Sequence, residues 1–164
     1  MSAPLDDIAN YSAFVYSLGE RHPFVTSSTL ALAPIGVTLA RLEGRVECQG
    51  GIHLEVWELI DFAARRIRSY SYEVYRGDKI CWYDSWEHPE IPVLASTFPH
   101  HKHIPPNLRD HRVPAPGISF ESPNLDVVLN DVRRDWLLKC DFTNHCKWLA
   151  IKALEGHGHT LKAY

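Results

Sequence analysis

The sequence predicts an α+β fold in which an antiparallel sheet meander packs against an N-terminal and a C-terminal helix. Three observations point there. Between residues 37 and 84, runs of alternating apolar and polar residues follow one another with short turn signals between them. Helical three-four spacing of apolar residues appears near the two ends, over 8–18 and 125–137. The chain has 164 residues, 45% hydrophobic and 23% charged, the size and composition of one domain with a real core.

The elements follow in order. Ile8, Tyr11, Phe14, Val15 and Leu18 share one helix face over residues 4–18, and Gly19 stands where a C-cap glycine belongs. Residues 26–32 read as a short strand interrupted by Pro34 and Gly36. Val37, Leu39, Val46 and Cys48 mark a longer strand, with Gly44 at a bulge or kink. After the turn Gln49-Gly50-Gly51, the apolar face Ile52, Leu54, Val56 and Ile60, with Glu58 in register, alternates with His53, Glu55, Trp57 and Leu59, which makes a hairpin. Residues 65–75 alternate again. Strict alternation puts Arg66, Arg68, Tyr70, Tyr72 and Val74 on one face, and Arg65, Ile67, Ser69, Ser71, Glu73 and Tyr75 on the other. Arg76-Gly77-Asp78 turns the chain into a strand over 79–84.

From residue 85 to 116 the character changes. Seven prolines, at 89, 92, 99, 105, 106, 114 and 116, interrupt regular structure, while Trp86, Ile91, Val93, Leu94, Phe98 and Ile104 anchor the segment. An ordered irregular stretch of this length in a small domain points to function. Ser122-Pro123 then signals a helix start, and Leu125, Val128, Leu129, Val132, Trp136 and Leu137 form its apolar stripe to about residue 139, expected to cover the exposed sheet face. No repeat or linker divides the chain, so 1–164 reads as a single domain. Residues 141–164 form an added C-terminal element in which 148–154 suits a short helix or a strand.

Several classes are excluded or set aside. No apolar run approaches the ~20 residues of a membrane span. The opening Met1-Ser2-Ala3-Pro4-Leu5-Asp6-Asp7 lacks the basic-then-apolar pattern of an export signal, so a cytoplasmic location is expected. Cys48, Cys81, Cys140 and Cys146 then read as reduced thiols. A net charge of −3 gives no global attraction to nucleic acid. Neither a glycine-rich phosphate loop nor a Gly-x-Ser-x-Gly elbow occurs.

Chemistry concentrates in the loop Phe98-Pro99-His100-His101-Lys102-His103. Alternation sets His100 and Lys102 against His101 and His103, and Arg109, His111 and Arg112 follow. Histidines supply general base and acid near neutral pH, and Lys and Arg hold phosphate, so the candidate catalytic set is His100, His101, Lys102 and His103. Asp84, at a strand end beside the irregular segment, and His88 join it, Asp84 to orient a histidine or to pair with Lys102. Arg109, His111 and Arg112 are candidate substrate contacts. Arg66 and Arg68 with Tyr70 and Tyr72 are further ones, since basic and aromatic side chains on a sheet suit single-stranded RNA; solvated arginines over tyrosines packed under the helix account for that pattern slightly better. No metal is assigned. A divalent ion held by the loop histidines with Asp84 or Glu55 stays open, and Cys140, His145, Cys146, His157 and His159 match no common zinc spacing.

Trp82-Tyr83-Asp84, His88-Pro89-Glu90-Ile91 and Thr97-Phe98-Pro99-His100-His101-Lys102-His103, in this order after Leu54-Glu55-Val56 and Tyr70-Ser71-Tyr72, resemble the TumE-type toxins of prokaryotic toxin–antitoxin pairs. The resemblance runs over roughly residues 30–135 by element order. The family reads Asp-Asn-Ala-Pro-His-His after the strand, where this chain has Asp84-Ser85-Trp86-Glu87-His88-Pro89. The resemblance implies a toxin with an antitoxin partner. The histidine loop adds RNA as a target through acid–base phosphodiester chemistry, with ribonuclease-like hydrolysis as the enzymatic form. A non-catalytic nucleic-acid- or protein-binding module and a metal-dependent hydrolase are the alternatives.

Overall fold

The computed structural model describes residues 3–138. The expected C-terminal element 141–164, with Cys140, His145, Cys146, His157 and His159, lies outside the described residues. The chain divides into two units at Leu129/Asn130, and every site residue discussed below belongs to the first.

The α+β expectation holds. Two helices, α1 (Ile8–Tyr16) and α2 (Leu18–Arg21), precede eight strands: β1 (Val25–Ser28), β2 (Ala31–Ile35), β3 (Leu39–Cys48), β4 (Ile52–Asp61), β5 (Arg66–Arg76), β6 (Asp78–Asp84), β7 (His101–His103) and β8 (Arg112–Pro114). A helix, α3 (Leu125–Val132), follows. The sheet order is β1-β3-β4-β5-β6-β7-β8, with β2 also on β3, and the paired strands are antiparallel.

Asp7 caps α1 by accepting a hydrogen bond from the Asn10 amide at 2.8 Å. The first helix is not continuous to a Gly19 cap. It ends at Ser17, whose hydroxyl bonds back to the Ala13 carbonyl at 2.7 Å, and a second turn carries Gly19 on to Arg21. Pro34 does not interrupt the early strand but lies inside β2, which pairs with β3 alone, an edge position that needs no proline N–H. Gly44 has φ +137°, and a Cβ there would stand 2.6 Å from the Thr29 carbonyl oxygen, so the crossing of the edge chain over β3 requires glycine.

On β5, strict alternation fails at one point. Leu59 pairs with Ser69 but Ile60 pairs with Ile67, so Arg68 is an extra residue. Ile67 is therefore buried together with Tyr70 and Tyr72, while Arg68 is exposed and bound to Asp61. The core lies on this face: Tyr11, Val15 and Leu18 are buried with Leu42, Val46, Leu54, Ile60, Tyr72 and Val74. The start of α3 is Leu125, two residues later than Pro123, because the Asn124 carbonyl accepts the first helical bond, from the Val128 amide at 3.0 Å. Its first turn is tied to the end of α2 through Asp126, which pairs with Arg21 at 3.1 Å and with the capping His22 at 2.7 Å.

The opposite face stays open between β3 and β6 and leads to the histidines. Residues directly opposite in an antiparallel ladder share a face. One such row runs Arg45, Glu55, Glu73, Trp82, His103 and Arg112 across six strands. The next pair on the same face is Asp84 with His101.

Candidate functional site

The histidine segment is not a free loop. His101–His103 forms β7 between β6 and β8, and all three residues are buried. Strand alternation then does what the sequence leads one to expect: His101 and His103 point to the open face and His100 and Lys102 to the other.

On the open face, His101 Nε2 lies 2.9 Å from Asp84 Oδ1 and 3.0 Å from His103 Nε2. His103 Nε2 lies 3.6 Å from Asp84 Oδ2. Each ring is anchored through its other nitrogen, His101 Nδ1 on the Pro99 carbonyl at 3.1 Å and His103 Nδ1 on the Leu108 carbonyl at 2.7 Å. Asp84 is fixed as well. Trp82 Nε1 donates to Oδ2 at 3.0 Å and the Trp86 amide donates to Oδ1 at 3.1 Å. The Trp82 ring stacks on His103 with centroids 3.9 Å apart. Burial pushes the Asp84 carboxyl up, but the close approach of the His101 and His103 rings and the hydrogen bond from the Trp86 amide outweigh it and hold the group well below the ordinary carboxylate range. Burial lowers the basicity of His101, and the bonds to Asp84 and the Pro99 carbonyl more than restore it.

Two further groups border this point. His88 stands edge-on to His101 with ring centroids 5.2 Å apart, and its Nδ1 pairs with Glu90 at 3.0 Å. Arg112 faces His103 across β7–β8, and its charge is felt at both His101 and Glu90. Its Nε is buried with no hydrogen-bond partner among the described residues. An apolar hollow of 260 Å³ adjoins His88, lined by Pro89, Ile91, Pro92, Ala95 and Phe98. A wider hollow of 540 Å³ lies farther along the open face around Glu55, Trp57 and Ser71.

The other sequence candidates lie elsewhere. His100 Nδ1 binds the Tyr70 hydroxyl at 2.8 Å, and that hydroxyl donates to the Asp84 backbone carbonyl at 3.0 Å, so His100 braces the site from behind. Burial lowers the His100 pKa. The Lys102 ammonium lies over the Tyr83 ring, 5.1 Å from the centroid. Tyr72 is fully buried and donates to Glu58 at 2.6 Å. Arg66 lies over Phe120 and reaches Glu121, and Arg68 is held by Asp61. His111 Nδ1 binds the Pro105 carbonyl at 3.0 Å, and Arg109 is exposed. Glu55, the alternative acidic partner, pairs with Arg45. Sequence reasoning missed Trp82 and Glu90. Trp82 was within reach, since it precedes Asp84 by two in one strand and so shares its face.

Among the described residues, Asp84, His101 and His103 are the one set of three ligating groups close enough to hold a metal ion. No helix there is long and apolar enough to cross a membrane. No curated protein and no solved structure matches the chain. The family model described as toxin TumE matches residues 15–136, which takes in the whole of the sheet and every residue of this centre, and the chain therefore belongs to the TumE toxin family.

Proposed function

We propose that this chain is the toxin of a toxin–antitoxin pair and that it acts in the cytoplasm by breaking phosphodiester bonds in RNA at the Asp84–His101–His103 centre. The observation that carries the reading is the convergence of two buried Nε2 atoms on the part-exposed Asp84 carboxylate, beside the Arg112 charge. In the reaction, an attacking oxygen, from water or a ribose 2′-hydroxyl, gives up its proton and bonds to phosphorus. The P–O5′ bond breaks, and the departing oxygen takes up a proton. The centre lowers the cost of forming the attacking oxyanion. The positive charge of Arg112 suits a phosphate, and the hollow beside His88, with Phe98 half-exposed at its rim, suits a stacked base.

The geometry favours one form of this chemistry over another. A general base and a general acid that flank a phosphate need space for it between them. His101 and His103 Nε2 are 3.0 Å apart, so the two rings act together on one group rather than from opposite sides. The substrate path favoured here passes Arg112 and His88. The Tyr70–Tyr72 face does not offer one, because those hydroxyls are already committed inside the fold.

The test is the purified full chain on a panel of 5′-labelled RNAs. Discrete shortened products are expected, absent with Asp84→Asn or His101→Ala. A preparation that arrests growth on expression yet leaves every RNA intact would overturn the reading.

A further inference from the structure

The two rings of the centre have the same tautomer. A backbone carbonyl only accepts hydrogen bonds, so the contacts of His101 Nδ1 to Pro99 and of His103 Nδ1 to Leu108 place a hydrogen on both Nδ1 atoms. The neutral rings therefore present lone pairs at both Nε2 atoms. These lone pairs stand 3.0 Å apart and face the Asp84 carboxylate at 2.9 and 3.6 Å. Two lone pairs and an anion directed at one point repel each other unless a cation stands among them. A single proton on His101 Nε2 is shared between Asp84 and His103, whereas a metal ion can bond to all three groups directly.

The spacing agrees. Neighbouring ligands on an ion with bonds of ~2.0–2.1 Å lie about 2.9–3.4 Å apart, close to the separations found here. The outer partners agree too. Metal-bound histidines as a rule donate their second nitrogen to a carbonyl or carboxylate, and ligating carboxylates are themselves hydrogen-bonded, as Asp84 is by Trp82 and Trp86. We infer that Asp84, His101 and His103 are the ligands of one divalent first-row transition metal ion, with zinc the ion that this two-imidazole, one-carboxylate set suits first. Two imidazoles disfavour magnesium and calcium, which take oxygen. Three protein ligands leave a position for water, as in catalytic rather than structural sites.

The inference deepens the phosphodiesterase reading and rests on it for the use of the metal, not for its binding. Metal-bound water loses its proton to solvent near neutral pH. The hydroxide bonds to phosphorus, the P–O5′ bond breaks, and the departing oxygen takes a proton from solvent.

The test uses the full chain, freed of any affinity tag and stripped with chelator, titrated calorimetrically with Zn(II), and with Co(II) for its visible spectrum. One equivalent is expected at this centre, with affinity at least about 100-fold weaker in His101→Ala, His103→Ala and Asp84→Asn, and about tenfold weaker in Trp82→Phe. The variants' circular dichroism establishes that they are folded. A Cys140→Ser/His145→Ala/Cys146→Ser chain should bind as the wild type does at this centre. Binding that survives His101→Ala and Asp84→Asn in folded protein, or no binding by the wild type, overturns the inference. The two readings fail separately. RNA cleavage by metal-stripped protein, undiminished by chelator, removes the metal from the reaction and keeps the phosphodiesterase. Tight, ligand-dependent metal binding with no RNA broken removes the phosphodiesterase and keeps the metal.

Discussion

Two carboxylates of the sheet, Glu58 on one face and Asp84 on the other, are each met by two ring-bearing side chains. On the core face Glu58 is fully buried and accepts from the Tyr11 hydroxyl at 2.5 Å and the Tyr72 hydroxyl at 2.6 Å. On the open face Asp84 meets His101 and His103. The partners make the difference. The tyrosine hydroxyls are donors that direct their hydrogens at Glu58, so that cluster is complete and locks α1 onto β4 and β5. The histidines have spent their Nδ1 hydrogens on carbonyls, so their Nε2 lone pairs remain to face Asp84, which is the basis of the metal inference. Similar residues on one scaffold thus make a structural lock on one side and the proposed reactive centre on the other.

Substitutions on the two faces separate the lock from the proposed centre. The largest effect is expected at Asp84. Asp84→Asn, measured by growth after induced expression, should abolish arrest while the melting temperature stays within a few degrees, because the amide keeps the side chain's size. Glu58→Ala should do the reverse. It leaves two buried hydroxyls without their acceptor and opens a cavity, costing roughly 3 kcal/mol or more by denaturant titration, with toxicity limited only by how much folded protein remains.

The Glu58 cluster also carries a pH signature. Burial raises the Glu58 carboxyl from 4.5 to about 7 against the lowering effect of its two tyrosine bonds. Between those values the folded chain keeps a proton that the unfolded chain has lost, so this contribution to stability is full below pH 4.5 and falls as pH rises to about 7. Melting curves of Glu58→Gln, compared with the wild type from pH 5 to 8, should show that decline removed. An unchanged slope would assign the dependence to other groups. Smaller again is Gly44→Ala, expected to cost about 2 kcal/mol, since a Cβ meets the Thr29 carbonyl and φ is positive. Smallest is Arg41→Ala, an exposed partner of Glu43 on the open face, expected to stay within about 0.5 kcal/mol.

The sequence made the meander legible because its strands alternate over long runs and its turns carry glycine. Reading failed where a single residue changed the count. Arg68 is an extra residue opposite β4, and that one insertion moves Ile67 to the face of Tyr70 and Tyr72, which no periodicity rule anticipates. The helix break at Ser17 was hidden for a similar reason, because a hydroxyl bonding to its own helix leaves the apolar spacing intact. In the site, the His-x-His alternation was readable from residue order alone, and so was the choice of Asp84. What the order could not supply was distance. The approach of β7 to β6, the carbonyls of Pro99 and Leu108 beneath the rings, and the withdrawal of Lys102 over Tyr83 are tertiary facts.

The central claim is that toxicity resides in the Asp84–His101–His103 centre and not in the fold around it. Growth after matched induction of the wild type and of Asp84→Asn, with soluble amount and melting temperature of each recorded, tests it most directly. Arrest by the wild type and normal growth with a folded, equally abundant Asp84→Asn chain are expected. Equal arrest by both would contradict it.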